Sequence, residues 1–246
     1  MKKPVIITDK LTKRFGAFTA VDAITFEVAQ GEIFGFLGAN GAGKTTAMRM
    51  LCGLLHPTNG RAEVAGFDVF RQREKIKQHI GYMSQRFSLY EDLTVRENIR
   101  LYGGIYGLKT NELKTKSDTL INRLGLHEEA NKLVRSLPLG WRQKLAFSVA
   151  ILHEPSIVFL DEPTGGVDPV TRRQFWDMIY ETANAGITVF VTTHYMDEAE
   201  YCNRVSIMVD GRIEALDSPT GLKKTFSADS MDEVFIQLAR KATRNE

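Results

Sequence analysis

The residues best suited to chemistry lie in one glycine-rich segment that follows an apolar run. Its sequence is Gly38-Ala39-Asn40-Gly41-Ala42-Gly43-Lys44-Thr45-Thr46. The spacing from Gly38 to Thr45 fits the pattern G-x-x-x-x-G-K-[ST], in which glycines let backbone N–H groups approach a phosphate. Lys44 would bring a full positive charge to the β- and γ-phosphates, and the Thr45 hydroxyl would ligate Mg²⁺. The pattern predicts a nucleoside triphosphate site; the alternative is an ordinary glycine-rich turn between a strand and a helix.

Two acidic residues follow a second apolar run, residues 157–160, which is typical of a parallel strand buried on both faces. Asp161 and Glu162 would lie at the carboxyl end of that strand, where open α/β sheets bind their ligands. We expect Asp161 to hold Mg²⁺ through water and Glu162 to polarise the attacking water. His194 ends another predicted strand, and we expect it to reach the same phosphate. Taken alone, such an acidic pair would more often begin a loop or cap a helix.

The elements that must position these residues form an alternation of strands and helices. The predicted strands are residues 5–8, 24–28, 33–37, 62–65, 80–84, 157–160 and 188–193, with turns at 13–16 and 58–60. Helix starts are predicted at Thr94 and Ser230 from capping boxes, and at Asp168 from an Asp-Pro pair. The pattern predicts a mostly parallel α/β core that is interrupted by a helical insert at roughly residues 86–154.

The composition is that of an ordinary soluble globular protein, with 43% hydrophobic and 25% charged residues. A net charge of +2 is too weak to indicate nucleic acid as a partner. No apolar run approaches the roughly 18 residues of a membrane helix, and the run at residues 5–7 is too short for a signal peptide. Cys52 and Cys202 lack metal-type spacing, so we expect reduced thiols in a cytosolic protein. A role at a membrane would therefore come through a partner.

Together, these motifs resemble the nucleotide-binding domain of an ABC transporter over nearly the whole chain. The resemblance identifies Gly38 to Thr45 as the Walker A loop and Asp161 as the end of Walker B. It implies an α/β P-loop NTPase with a mostly parallel RecA-like core, a small antiparallel β subdomain and an inserted α-helical subdomain. A single domain, 1–246, would comprise the core and β subdomain at about 1–85 and 155–225. The helical subdomain would span about 86–154, and a C-terminal helix about 229–241.

The resemblance also gives roles to isolated residues. Gln85 matches the Q-loop glutamine, which contacts nucleotide and Mg²⁺, and Asp168 resembles a D-loop residue that contacts the other subunit. His194, in Thr-His-Tyr-Met-Asp-Glu-Ala, matches the switch histidine, which would act in catalysis with Glu162 and Lys44. Phe15 lies where the family has an aromatic that stacks on adenine; the alternative is a core phenylalanine of an edge strand. The Met-Asp-Glu-Ala ending is similar to exporters of the ABC-2 type, including drug-efflux and lipid- or polysaccharide-exporting ATPases.

One motif departs from the family pattern. The signature Leu-Ser-Gly-Gly-Gln is replaced by Leu137-Pro138-Leu139-Gly140-Trp141. In the family this loop crosses a head-to-tail dimer and binds the γ-phosphate of the other subunit, so Gly140 and Asp168 would act in trans. Pro138 has neither a hydroxyl nor an N–H, and Leu139 adds bulk where a glycine lets the chain approach. Either Gly140 and the helix N-terminus suffice, or the site completed by this loop is weakened; the second reading is favoured.

The leading hypothesis is an ATPase subunit of an ABC exporter, with ATP and Mg²⁺ as cofactors. Its partners would be membrane-spanning permeases and a second cassette, in a homodimer or a heterodimer, and no nucleic acid. It would lie in the cytoplasm on the inner face of the cell membrane, where the segment Phe87-Ser88-Leu89-Tyr90 is a candidate dock for a permease helix. The alternatives are a soluble ABC protein without a transport role and a regulatory module that binds ATP with little turnover.

Overall fold

The computed structural model describes residues 3–85 and 89–242. The strands are β1 (Pro4–Phe15), β2 (Phe18–Ala29), β3 (Ile33–Leu37), β4 (Asn59–Val64), β5 (Phe67–Asp68), β6 (Ile80–Met83), β7 (Ile157–Asp161), β8 (Thr188–Thr193), β9 (Arg204–Val209) and β10 (Arg212–Asp217). The helices are α1 (Lys44–Leu51), α2 (Arg73–His79), α3 (Val95–Ile105), α4 (Thr110–Leu124), α5 (Leu139–Ala150), α6 (Pro169–Asn184), α7 (Pro219–Phe226) and α8 (Met231–Ala242). No helix in these described ranges is both long and apolar enough to span a bilayer.

A six-stranded sheet forms the core, in the order β10-β9-β3-β8-β7-β6. Its strands pair in parallel except for β10, which is antiparallel to β9. Every residue of β3, β7 and β8 is buried, as expected for central strands covered on both faces. The parallel register sets Asp161 beside Thr192 and Leu37 beside Thr193. The carboxyl ends of three central strands therefore meet at one edge of the sheet.

A four-stranded antiparallel sheet, in the order β2-β1-β4-β5, packs on this core. The join is aromatic: the ring of Phe26 stacks on Phe34 with centroids 5.4 Å apart, and Phe190 lies 5.5 Å from Phe34. Such pairs contribute about 0.5–1.5 kcal/mol beyond the area that they bury. The packing fixes the antiparallel sheet against the strand that leads into the phosphate loop.

The first hairpin differs from the sequence prediction. Residues 13–16 were expected to form a turn, but β1 continues to Phe15 and the chain reverses only at Gly16 and Ala17. The register between β1 and β2 shifts at several points, and such bulges break the alternation of apolar and polar residues that marks a strand in sequence. The turn predicted at 58–60 is also wrong in part, because β4 begins at Asn59.

Gly60 lies inside β4 with φ +89°, and a Cβ there would stand 2.2 Å from the Lys10 carbonyl oxygen. Only glycine fits so close a backbone approach. The glycine that resembled a turn signal therefore permits strand pairing instead.

The chain between β6 and β7 carries α3, α4 and α5. The predicted capping box is confirmed: the Thr94 hydroxyl accepts from the Glu97 N–H at 3.2 Å, and the Thr94 N–H donates to the Glu97 carboxylate at 2.8 Å. The predicted start of α6 is confirmed as well, with Asp168 as N-cap and proline at the first helical position. These caps fix where α3 and α6 begin.

The C-terminal helix α8 packs with buried Val234 and Leu238 against the core, as its sequence pattern predicts. The hydroxyl of Ser230 accepts from the Glu233 N–H at 3.2 Å. The neighbours of α8 include α7, β9 and the 3₁₀ segment Met196–Tyr201, which follows His194 in sequence. The helix therefore supports a segment that leads out of the candidate site.

Candidate functional site

The phosphate loop connects β3 to α1, and Gly43 is the N-cap of that helix with φ +101°. A Cβ at Gly43 would lie 2.3 Å from the Ala20 carbonyl oxygen, so the loop cannot take this path with another residue. No side chain caps α1, and no acidic residue occupies its first turn. Its N–H groups and positive dipole end are therefore available to an anion, as the sequence pattern predicts.

Lys44 is buried within the loop, with 4% of its side chain exposed. Its ammonium donates to the carbonyl oxygens of Gly38 and Ala39 at 2.7 and 3.0 Å, and lies 3.5 Å from Glu162 Oε1. Burial lowers the pKa of Lys44, and the Glu162 carboxylate opposes this shift. A phosphate placed at the loop would supply a compensating negative charge to a poorly hydrated cation.

Asp161 is anchored by two hydroxyls at the carboxyl end of β7. The hydroxyls of Thr192 and Thr45 donate to Asp161 Oδ1 at 2.7 and 3.1 Å. Burial raises the pKa of Asp161, and these two hydrogen bonds oppose the rise. A hydroxyl and a carboxylate oxygen are ligands suited to Mg²⁺, which usually keeps several waters and also binds substrate phosphates. The described residues contain no cluster of three or more His, Cys, Asp or Glu side chains that could hold a metal ion.

Glu162 is the point at which several side chains converge. Its Oε2 accepts from Gln85 Nε2 at 2.8 Å, and His194 Nδ1 lies 3.0 Å from the same oxygen without the alignment of a hydrogen bond. The residue has φ +49°, a left-handed conformation that is uncommon for a glutamate. Its N–H donates to the Thr192 carbonyl oxygen and lies within hydrogen-bond distance of the Thr192 hydroxyl, each at 3.1 Å. Such strain is held by the surrounding structure and is common at functional sites.

Thr192 is the residue that sequence reasoning missed. It binds both the Asp161 side chain and the Glu162 backbone, because the parallel register of β7 and β8 sets Asp161 beside it. The available signal was the polar ending Thr192-Thr193 of an otherwise apolar strand, next to the strand predicted to carry the acids. Without the register, that signal does not assign either threonine to either acid.

Phe15 lies apart from this cluster, near the tip of the first hairpin. Half of its surface is exposed, with Lys13 Nζ 4.9 Å above the ring. This exposure excludes the core phenylalanine that the sequence left open. Phe18, which pairs with Phe15 across the hairpin, is 64% exposed and was not singled out from sequence.

Gly140 and Asp168 come together on a second surface. A Cβ at Gly140 would lie 2.5 Å from Thr171 Cγ2, and the Thr171 hydroxyl donates to Asp168 Oδ2 at 2.6 Å. This hydrogen bond lowers the pKa of Asp168. Pro138 takes the N-cap position of α5, which has no side-chain cap, and Leu139 begins the helix partly exposed.

The segment expected to dock a permease helix is described only in part. Leu89 is buried and Tyr90 is 56% exposed, whereas Phe87 and Ser88 lie outside the described residues. The Asn98 side chain accepts from the Tyr90 N–H at 2.8 Å and donates to the Tyr90 carbonyl oxygen at 2.9 Å. The backbone of Tyr90 is thus fixed to α3 while its ring remains exposed.

The fold and the site together define a P-loop nucleotide-binding domain. The family model described as ABC transporter matches residues 21–165, more than half of the chain. The chain therefore belongs to the ABC transporter family, in which it is an ATP-binding cassette.

Curated relatives agree with this assignment. The chain is 48% identical over 239 residues to the probable multidrug ABC transporter ATP-binding protein YbhF of Escherichia coli, covering 95% of this chain and 41% of that protein. It thus spans about two fifths of that relative. It is 37% identical to the daunorubicin resistance ATP-binding protein DrrA3 of Streptomyces coeruleorubidus, over 95% of this chain and 74% of that protein. The bacitracin transport ATP-binding protein BcrA of Bacillus licheniformis is 38% identical, over 85% of this chain and 68% of its own length.

Solved structures show the same fold. The ATP-binding subunit of an ABC transporter superposes with a TM-score of 0.85 at 26% identity, covering 95% of this chain and 99% of that one. A dimeric ATP-binding cassette bound to ADP and Pi superposes with a TM-score of 0.78 at 23% identity, covering 87% of this chain and 98% of that one. The predicted α/β P-loop fold, with an antiparallel sheet and a helical region, is confirmed.

Proposed function

We propose that the chain is the ATP-hydrolysing subunit of an ABC exporter and drives permease subunits in the cell membrane from its inner face. The observation that carries the proposal is the Glu162 carboxylate, which Gln85, His194 and Lys44 surround next to the phosphate loop. The names of the relatives support an export role, because they include multidrug, daunorubicin-resistance and bacitracin-transport proteins.

In this proposal each residue of the cluster has a defined task. Residues 38–46 bind the phosphates through backbone N–H groups, and Lys44 neutralises charge on the β- and γ-phosphates. Thr45, Asp161 and Gln85 would hold Mg²⁺, which would supply further charge neutralisation. Glu162 accepts a proton from the attacking water. His194 reaches the γ-phosphate from the carboxyl end of β8, the strand beside β7.

The second surface is proposed to act in trans. In a head-to-tail dimer, Gly140 and Asp168 contact the site of the other cassette, while Phe15 stacks on adenine in its own. The helical subdomain at about 86–154 passes the closing motion to a permease, with the exposed ring of Tyr90 as part of the dock. ATP-dependent opening and closing of the pair is the proposed coupling step.

Exchanging Glu162 for Gln tests the hydrolytic role. Glu162→Gln keeps the shape of the side chain and removes the charge that polarises water, so Mg-ATP should bind and remain uncleaved. We expect phosphate release to fall to the level measured without protein, while light scattering with Mg-ATP reports a longer-lived dimer than the unaltered chain forms. Glu214→Gln, at an exposed position of β10, is the matched control and should behave as the unaltered chain does.

Normal hydrolysis by Glu162→Gln would contradict the assigned base. Recovery of multi-span permeases from a membrane fraction, with the tagged full chain as bait, separates the exporter from a soluble ABC protein. Nucleotide binding without phosphate release in the recovered complex would support the regulatory module instead.

A further inference from the structure

Glu198 is a fully buried carboxylate that the proposed function does not use. It lies four residues after His194, within the 3₁₀ turn Met196–Tyr201. The hydroxyl of Thr164, itself 1% exposed, donates to Glu198 Oε1 at 2.5 Å. Glu198 Oε2 is buried and has no hydrogen-bond partner among the described residues. A buried charge is costly unless its partners are fixed, so its place in the fold needs a reason.

The Thr164–Glu198 hydrogen bond closes a ring with the candidate catalytic pair. Thr164 lies two residues after Glu162, and Glu198 lies four residues after His194. At the other side of the ring, His194 Nδ1 is 3.0 Å from Glu162 Oε2. Glu162 and His194 are thus in direct contact, and the segments that follow them are also connected by a hydrogen bond.

Arg172 of α6 contacts the segment that follows His194. Its Nε lies 3.6 Å from Glu198 Oε1, its Nη1 lies 3.5 Å from Asp197 Oδ2, and its guanidinium stands 4.5 Å from the centroid of the Tyr195 ring. The helix that carries Arg172 begins at Asp168. The segment that follows His194 therefore contacts both Thr164, in the loop after Glu162, and α6, the helix to which that loop leads.

We propose that Thr164 and Glu198 are positioning residues that hold His194 against the Glu162 carboxylate. Neither side chain reaches the phosphate in this account, and both act through the distance between Glu162 and His194. Reacting groups must be placed within about 1 Å, and a misplacement of that size can cost about 100-fold in rate. The proposal rests on the proposed function for its effect on turnover, whereas its geometric part can be measured without hydrolysis.

Thr164→Val removes the hydroxyl at nearly constant volume, and Thr164→Ser retains it. In the complex recovered with its permeases and with Mg-ATP, Thr164→Val should lower kcat about 10- to 100-fold and leave KM within about twofold, whereas Thr164→Ser should keep most of the rate. Thr8→Val is the matched control. It removes another buried hydroxyl, which donates to the Phe26 carbonyl oxygen at 3.2 Å in the antiparallel sheet, and should cost stability without this loss of kcat.

The geometric part is read from the ring nitrogens of His194 in the ¹⁵N-histidine NMR spectrum of the full chain. The chain has five histidines, and His194→Gln assigns the resonance. Thr164→Val should shift the His194 Nδ1 resonance, Thr164→Ser should restore it, and Thr8→Val should leave it in place. Glu198→Gln, which keeps an acceptor but loses the attraction to Arg172, should shift it in the same direction by less.

Unchanged His194 resonances in both Thr164→Val and Glu198→Gln would overturn the proposal, as would an equal loss of kcat in Thr8→Val. If Thr164→Val does not fold, Glu198→Gln alone decides by the same two readouts. Failure of the proposed function looks different: the recovered complex would then release no more phosphate than the same complex carrying Glu162→Gln, while the NMR result would stand.

Discussion

The phosphate-loop site and the signature surface are built in contrasting ways. At the first, Lys44, Asp161 and Glu162 are each at least nine-tenths buried and share hydrogen bonds or short ionic contacts. At the second, Leu139 and Trp141 are 38% and 37% exposed in the first turn of α5, and the N-cap of this helix is Pro138, which provides no side-chain cap. The contacts of the first region come from one chain, whereas we propose that the second completes a site of another subunit.

This difference predicts different responses to substitution. Removing a group from the buried cluster leaves its neighbours with unsatisfied charges, so the effects should be large and should include the chain's own nucleotide binding. Changes on the exposed surface should leave binding and folding intact and alter only the chemistry that needs two subunits. Substitutions in the two regions therefore test whether they differ in this way.

The largest effect is expected for Lys44→Ala. The substitution removes the buried cation that faces the phosphates and leaves Glu162 without its ionic neighbour 3.5 Å away. We expect ATP affinity to fall at least about 100-fold, in line with the loss of a charge-assisted contact, and turnover to disappear. Titration with a fluorescent ATP analogue measures the affinity, with Lys224→Ala on the surface of α7 as control. Unaltered affinity would refute the role of the loop.

A smaller, pH-dependent effect is expected for Thr192→Val. The Thr192 hydroxyl lowers the pKa of Asp161, which burial raises, so its removal should raise that pKa further. Because Mg²⁺ needs the ionised carboxylate, its affinity in the presence of ATP should weaken at a higher pH than in the unaltered chain. The raised pKa also means that ionised Asp161 costs folding free energy, which is recovered as the pH falls through that pKa.

Magnesium titrations between about pH 5 and 8 measure this shift, since one pKa unit changes the ionised fraction up to about tenfold. Thr188→Val is the control, because it removes a hydroxyl at the other end of β8 that accepts from the Gly31 N–H at 2.9 Å. Coincident pH profiles for Thr192→Val and the unaltered chain would show that Thr192 does not support the metal site.

The two regions also differ in how far sequence alone could predict them. The Walker A loop, β3, β8 and the caps at Thr94 and Asp168 depend on contiguous residues, and local pattern located them. The turn predicted at residues 13–16 was wrong, because bulges in the first hairpin break the alternation of apolar and polar residues that marks a strand. The Thr192 contacts and the Thr164–Glu198 hydrogen bond depend on register and on turns far apart in sequence, which no local pattern encodes.

We propose that this chain builds a competent phosphate-loop site but contributes a weakened signature loop, Leu137 to Trp141, to the site of its partner. A purified chain that can pair only with itself should then be a poor ATPase. Pro138→Ser with Leu139→Gly restores a hydroxyl and a close backbone approach at the start of α5. Because one transition-state donor is worth about 100- to 1000-fold in rate, we expect the double substitution to raise turnover at least about tenfold.

The deciding measurement is phosphate release per subunit at saturating Mg-ATP, with Glu162→Gln as blank. Val170→Ser, which adds a hydroxyl at an exposed position outside the signature loop, controls for polarity alone. The account predicts low release from the unaltered chain and from Val170→Ser, and a clear rise in the double variant with ATP affinity unchanged. Vigorous release from the unaltered chain, not increased by the double substitution, would contradict it and leave Gly140 and the helix N-terminus as sufficient.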